Sequence, residues 1–153
     1  MHTIEGNKVQ VDLICQFLYK ILIDETVLYH KTKNVYWNYE CNDFFTKNKL
    51  FEIQYLELNN IVERLARTSI GLGRKIPYHC NDVAILIKPL KKSFQNTSLI
   101  DVRKELILDH LAMIKIIKNC IDYSSNSLNF GTQKLFQSLI TIHENSIGKL
   151  SYS

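Results

Sequence analysis

Four stretches of this chain repeat apolar residues every three or four positions, and the longest leaves the fold little choice. From Val9 to about Asn38, Leu13, Phe17, Ile21, Leu28 and Val35 recur with Ile14, Leu18 and Val27 beside them. That spacing predicts an amphipathic helix of about seven turns. Thr46 or Asn42 then has the chemistry to cap a second helix, from about Lys47 to Leu72, with Leu50, Ile53, Ile61 and Leu65 on its apolar stripe. Gly71 and Gly73 end it. Asn81 or Asp82 opens a short helix that must stop near Lys88, because Pro89 follows. Ser98 to Asp101 has the spacing of a capping box, with Asp in place of Glu, ahead of Val102, Leu106, Met113, Ile117 and Ile121. A third long helix is expected from about Leu99 to Tyr123. Thr132 begins a fourth, with Leu135, Leu139, Ile142, Ser146 and Leu150 facing inward. The expected class is all-α, four long helices with a short helix in the crossover between the second and third.

At 153 residues and 46% hydrophobic, the chain is one domain, 1–153, with a real core and a short polar arm over residues 1–8. The net charge of +4 is spread over scattered lysines, which supports weak affinity for polyanions such as DNA and nothing stronger. Cys15, Cys41, Cys80 and Cys120 form no CxxC pair, so they read as reduced thiols and not as a zinc site. Asp12, Gln16, Lys20 and Asp24 interrupt the apolar run near the N-terminus, so no signal peptide and no membrane span is expected. The expected location is the cytoplasm.

Residues 29–73 hold the only Trp. They contain KTKNVYWN, then NDFFT, FEIQY and ERLARTSIGLG. This resembles the second-helix region of the Dps proteins, the ferritin-like DNA-binding proteins from starved cells. DHLAMIKIIKNCI and GTQKLFQSLITIHENSIGKL resemble the family's third and fourth helices, so the likeness covers nearly the whole chain. Gly148 stands where a Trp is usual. The resemblance implies a ferritin-like four-helix bundle that assembles into a hollow homo-oligomer, a dodecamer, and oxidises and stores iron.

The family's ferroxidase centre lies between two subunits and takes its ligands from a His before the Trp, a His twelve residues on, an acid four further, and an acidic pair before the LG. By resemblance these positions are Tyr36, Asn48, Glu52, Glu63 and Arg67 here. Both imidazoles are replaced and the last acid is an arginine. Glu52 and Glu63 are the remnant metal positions, three turns apart on one helical face. Two antiparallel copies of this helix that bring Glu52 opposite Glu63 also bring Asn48 opposite Arg67. A guanidinium stays protonated and cannot ligate, so Arg67 is expected to neutralise the glutamates in place of iron.

Other candidates are weaker. His30 reads as a surface histidine, His79, Cys80 and Asp82 as a polar loop, His143 and Glu144 as structural polar contacts, and Tyr36 as packed beside Trp37. The resulting expectation is a Dps-like stress-protection subunit whose usual ferroxidase centre is lost; the alternative is an active mini-ferritin using a rearranged Glu52 and Glu63 site. Mixed cages with an active paralogue would reconcile the two. The stretch from Asn129 to Lys134, before and into the fourth helix, contains no acid, so iron entry along a threefold channel there is expected to be poor.

Overall fold

The computed structural model describes residues 4–38, 44–76, 98–124 and 129–152. They form four helices, α1 (Ile4–Asn38), α2 (Phe44–Gly71), α3 (Leu99–Tyr123) and α4 (Phe130–Tyr152), with no strand among them. The ferritin-like four-helix bundle expected from the sequence is what is observed. The expected short helix at 81–88 lies outside the described residues.

Helix ends follow local chemistry. Residues from Ile4 onward, expected as part of an arm, already belong to α1. Helix α2 starts at Phe44, so Thr46, one of the two expected caps, lies inside it, and the other, Asn42, lies outside the described residues. At its other end Arg74 N donates to Ser69 O at 3.1 Å and Gly73 N to Ile70 O at 2.9 Å. Gly73 sits at φ 82°, the left-handed turn of a Schellman cap. Ser98 caps α3 as expected, accepting from Asp101 N at 3.2 Å while its hydroxyl donates to the Asp101 carboxylate at 2.7 Å. The cap of α4 is Asn129, whose side chain accepts from Thr132 N at 2.7 Å. That moves the start of the helix two residues ahead of Thr132.

Cross-helix contacts give the topology. Asp12 reaches Arg74, and Tyr36 lies against Tyr55, so α1 and α2 are antiparallel. Lys31 meets Glu105 and Asp109 while Phe17 meets Tyr123, so α3 also runs against α1. Arg103 donates to Leu150 O, and α4 runs against α3. The order is therefore up, down, down, up. Helices α2 and α3 are thus parallel.

The core is one cluster from all four helices, including Leu18, Ile21, Leu65, Leu106, Ile117, Phe136 and Leu139, each at most 1% exposed. On α2 the inward stripe is Phe51, Leu58, Ile61 and Leu65, with Gln54 and Ser69 in line. Ile53, expected on that stripe, is instead 39% exposed and shares an outward face with Leu56 and Ile70. The physical reason is register: stepping by three and four from Phe51 never lands on position 53.

Lys31 is the tightest polar clamp between α1 and α3. Its ammonium lies 2.6 Å from Glu105 and 2.7 Å from Asp109, with only 8% of its side chain exposed. Burial pushes the Asp109 carboxyl above its ordinary value, Lys31 pulls it back, and Glu105 raises it. Lys31→Met keeps the stem and deletes the cation. The acids are about a third exposed, so the loss expected at pH 7 is about 2 kcal/mol, below that of a fully buried pair. It should shrink at pH 4, because a carboxyl with a raised folded pKa contributes stability at low pH and loses it as pH rises. Denaturant unfolding at the two pH values checks both points.

Candidate functional site

The five positions singled out by the sequence sit on two packed helices. Tyr36 and Trp37 are in the last turn of α1; Asn48, Glu52, Glu63 and Arg67 are on α2. The Tyr36 ring is half-buried, 5.1 Å from Tyr55, in the packed position expected of it. Trp37 is 65% exposed, with the Lys33 ammonium 5.0 Å from its ring. The same ammonium lies 5.4 Å from the Tyr29 ring and 5.5 Å from that of Tyr55, and donates to the Tyr29 hydroxyl at 3.0 Å. That hydrogen bond holds the Lys33 ammonium above its ordinary pKa. His30 is surface-exposed against Tyr29, and its pKa is lowered by partial burial and by Lys33. The side chain of Asn48 lies outside the described residues, as do His79, Cys80 and Asp82.

Glu52 and Glu63 are on one helix and eleven residues apart, so their backbones are separated by about 16 Å. One subunit therefore cannot bring them to a common ion. Each carboxylate already has a cation of its own chain: Lys49 lies 3.8 Å from Glu52, and Arg67 lies 3.7 Å from Glu63. The Arg67 side chain is 81% exposed and Glu63 61%, with Glu52 at 35%. Such surface pairs contribute little stability, but they set the local charge near zero. Beside them, Glu57, Asn60, Glu63, Arg64, Arg67 and Ile142 line an open groove of about 440 Å³ between α2 and α4. Arg64 is fixed there by a 2.9 Å bond to Ser138.

Among the described residues, no three His, Cys, Asp or Glu side chains converge as a metal group. Fe(II) takes imidazole and carboxylate ligands with open positions, and this face offers two carboxylates, each beside a cation.

A different polar group lies in the middle of the bundle. Glu25 of α1, His110 of α3 and His143 of α4 are all at most 1% exposed. His143 Nε2 is 2.6 Å from Glu25 Oε1, and His143 Nδ1 is 2.8 Å from His110 Nδ1. Burial raises the Glu25 carboxyl above its ordinary value, partly offset by the hydrogen bond from His143. Burial, with the charge of His143 second, lowers His110 to about 3. From sequence His143 reads as a structural polar contact, and Glu25 and His110 are not singled out. The signal was available: both stand on inward positions of otherwise apolar stripes, where a lone charged residue needs a partner.

A family model of the ferritin-like domain matches residues 15–152. The chain belongs to that family. Within it, the backbone is that of Dps structures: Dps from Thermosynechococcus elongatus superimposes with a TM-score of 0.84 at 19% identity, covering 95% of this chain and 92% of the other. DpsC from Streptomyces coelicolor gives 0.83 at 17% identity, covering 93% and 83%. The Dps protein from Vibrio cholerae O1, described as a member of a broad superfamily of ferritin-like diiron-carboxylate proteins, gives 0.82 at 17%, covering 94% and 89%. In sequence, general stress protein 20U of Bacillus subtilis is 24% identical over 132 residues, 86% of this chain and 88% of that protein. No described helix is long and apolar enough to cross a membrane.

Proposed function

We propose that the protein is a Dps-type cage subunit that serves in stress protection without the usual intersubunit ferroxidase centre. The observation that carries this reading is the charge on α2. The position that resembles the last iron ligand is Arg67, 3.7 Å from Glu63, while Lys49 stands beside Glu52. Across a twofold axis that sets Glu52 opposite Glu63, the cleft contains two carboxylates and at least one fixed cation per half. A divalent ion entering it meets a positive charge and no imidazole at the described positions. The stress role is supported by the likeness to a protein named as a general stress protein.

Assembly is part of the proposal. Ile53, Leu56 and Ile70 leave an apolar outward face on α2, exposed by 39%, 48% and 61%. Covering it with the same face of a second copy removes that area from water and completes the cleft. A homo-dodecamer follows from extending that contact around threefold axes. Weak, salt-sensitive DNA binding fits the net charge of +4, and the free thiols Cys15 and Cys120 fit the cytoplasm. Co-assembly with an active paralogue would supply iron oxidation to such a cage.

Two measurements test this. Sedimentation of the purified protein is expected to give a cage-sized species, and a monomer at all concentrations would overturn the cage. Titration with Fe(II) or Zn(II) is expected to show no stoichiometric binding at Glu52 and Glu63. Stoichiometric binding there would instead establish the mini-ferritin with a rearranged site.

A further inference from the structure

The buried chain Glu25, His143, His110 has a defined capacity for protons. Its two links are 2.6 Å and 2.8 Å long, so each must carry one hydrogen. The neutral imidazoles and the carboxylate make both links by themselves, and one further proton keeps both links and leaves the chain with no net charge. That proton can sit with Glu25 or on an imidazole without breaking either link. A second proton has no such place. It either turns two N–H groups toward each other across 2.8 Å, or neutralises Glu25 and strands an imidazolium in apolar surroundings.

We propose that Glu25, His143 and His110 form an acid-sensitive latch: it ties α1, α4 and α3 together while it holds no more than one added proton, and a second one releases α3. At the two free ends, Glu25 Oε2 and His110 Nε2 are buried without a hydrogen-bond partner among the described residues. The ionisable groups around the latch do not offset a second proton. From α1, Asp24 lies next to Glu25 but faces Lys20, 3.4 Å away. From α3, Asp109 and Glu105 are committed to Lys31. From α4, Glu144 is exposed, and α2 contributes Gln54, which does not titrate and donates to Ser146 O at 3.3 Å.

The sign of the effect follows from where His110 titrates. Its folded value of about 3 lies below its ordinary value of 6.5, so the stability it supports is complete above pH 6.5 and is lost as pH falls toward 3. Between pH 6.5 and the ordinary value of Glu25, His110 takes up a proton in an unfolded chain that the folded latch does not accept. One proton of difference is a tenfold loss in the folding constant per pH unit.

The test compares the purified protein with its His110→Gln variant at fixed protein concentration. Gln keeps a hydrogen-bonding group opposite His143 and removes the titration. Denaturant unfolding between pH 6.5 and 4.5 is expected to show the wild-type folding constant falling about tenfold more per pH unit than that of the variant. Equal slopes would overturn the latch. Should the variant fail to fold, imidazole C2 hydrogen exchange in the wild-type protein, read by mass spectrometry, gives the midpoint of His110 directly. A midpoint below the ordinary histidine range by at least one unit supports the proposal, and any smaller displacement ends it.

Discussion

Changing Arg67 to Glu, with Tyr36 and Asn48 both changed to His, is expected to give a protein that oxidises Fe(II) where the parent does not. The three changes replace a fixed cation with a carboxylate and supply two imidazoles, the donor types that a redox-active iron site takes. The scaffold should accept them. Arg67 and Glu63 are both mostly exposed, so losing their 3.7 Å pair costs little. Tyr36 loses its ring contact with Tyr55, which is worth about 1 kcal/mol, but its half-buried position tolerates a smaller ring. Aerobic Fe(II) oxidation followed by absorbance should rise at least roughly tenfold over the parent, equivalent to about 1.4 kcal/mol of barrier. Arg67→Glu alone should fall between the two. If the triple variant assembles and still leaves the rate at the parent's level, the resemblance of these positions to a ligand set does not extend to their geometry.

His143→Leu is expected to be the most damaging single change in the core. It leaves Glu25 at 0% exposure with no partner for its carboxyl, and removes the hydrogen bond between His143 and His110. Breaking one side of a buried charged pair costs about 3 to 5 kcal/mol. Glu25 would then fold only as the acid, with its pKa raised further than it already is. A raised pKa contributes stability below the ordinary carboxyl range and loses it as pH rises, so the defect should be worse at pH 8 than at pH 5. The double variant Glu25→Leu with His143→Leu removes the orphaned carboxyl and should recover most of the loss, leaving the unpartnered His110 nitrogen at about 1 to 3 kcal/mol. Urea unfolding of the three proteins decides it. A double variant no more stable than His143→Leu would mean that volume, and not the unpaired charge, sets the cost.

The sequence by itself determined the class and the long elements. Repeats such as Leu13, Phe17, Ile21 and Leu28, or Val102, Leu106, Met113 and Ile117, have no other economical burial than a helix stripe, and α3 runs over the expected residues, from Leu99 to Tyr123. Periodicity carries that information because it depends only on neighbours along the chain. The ends of α1, α2 and α4 moved by a few residues, since a first turn depends on side chains that several residues can supply, as Asn129 does in place of Thr132. Motif spacing also located Glu52, Glu63 and Arg67 on α2, and charge chemistry alone argued against iron beside a guanidinium. Only the tertiary structure decided which stripe of α2 faces in, putting Ile53 outside and Gln54 inside. It alone joined Glu25, His110 and His143, which are up to 118 residues apart in the chain and meet because three helices bring one inward position each to the same level of the bundle. No local pattern encodes such a meeting: it depends on the relative register of helices that pack across the core, and that register is fixed by the close packing of all four stripes at once.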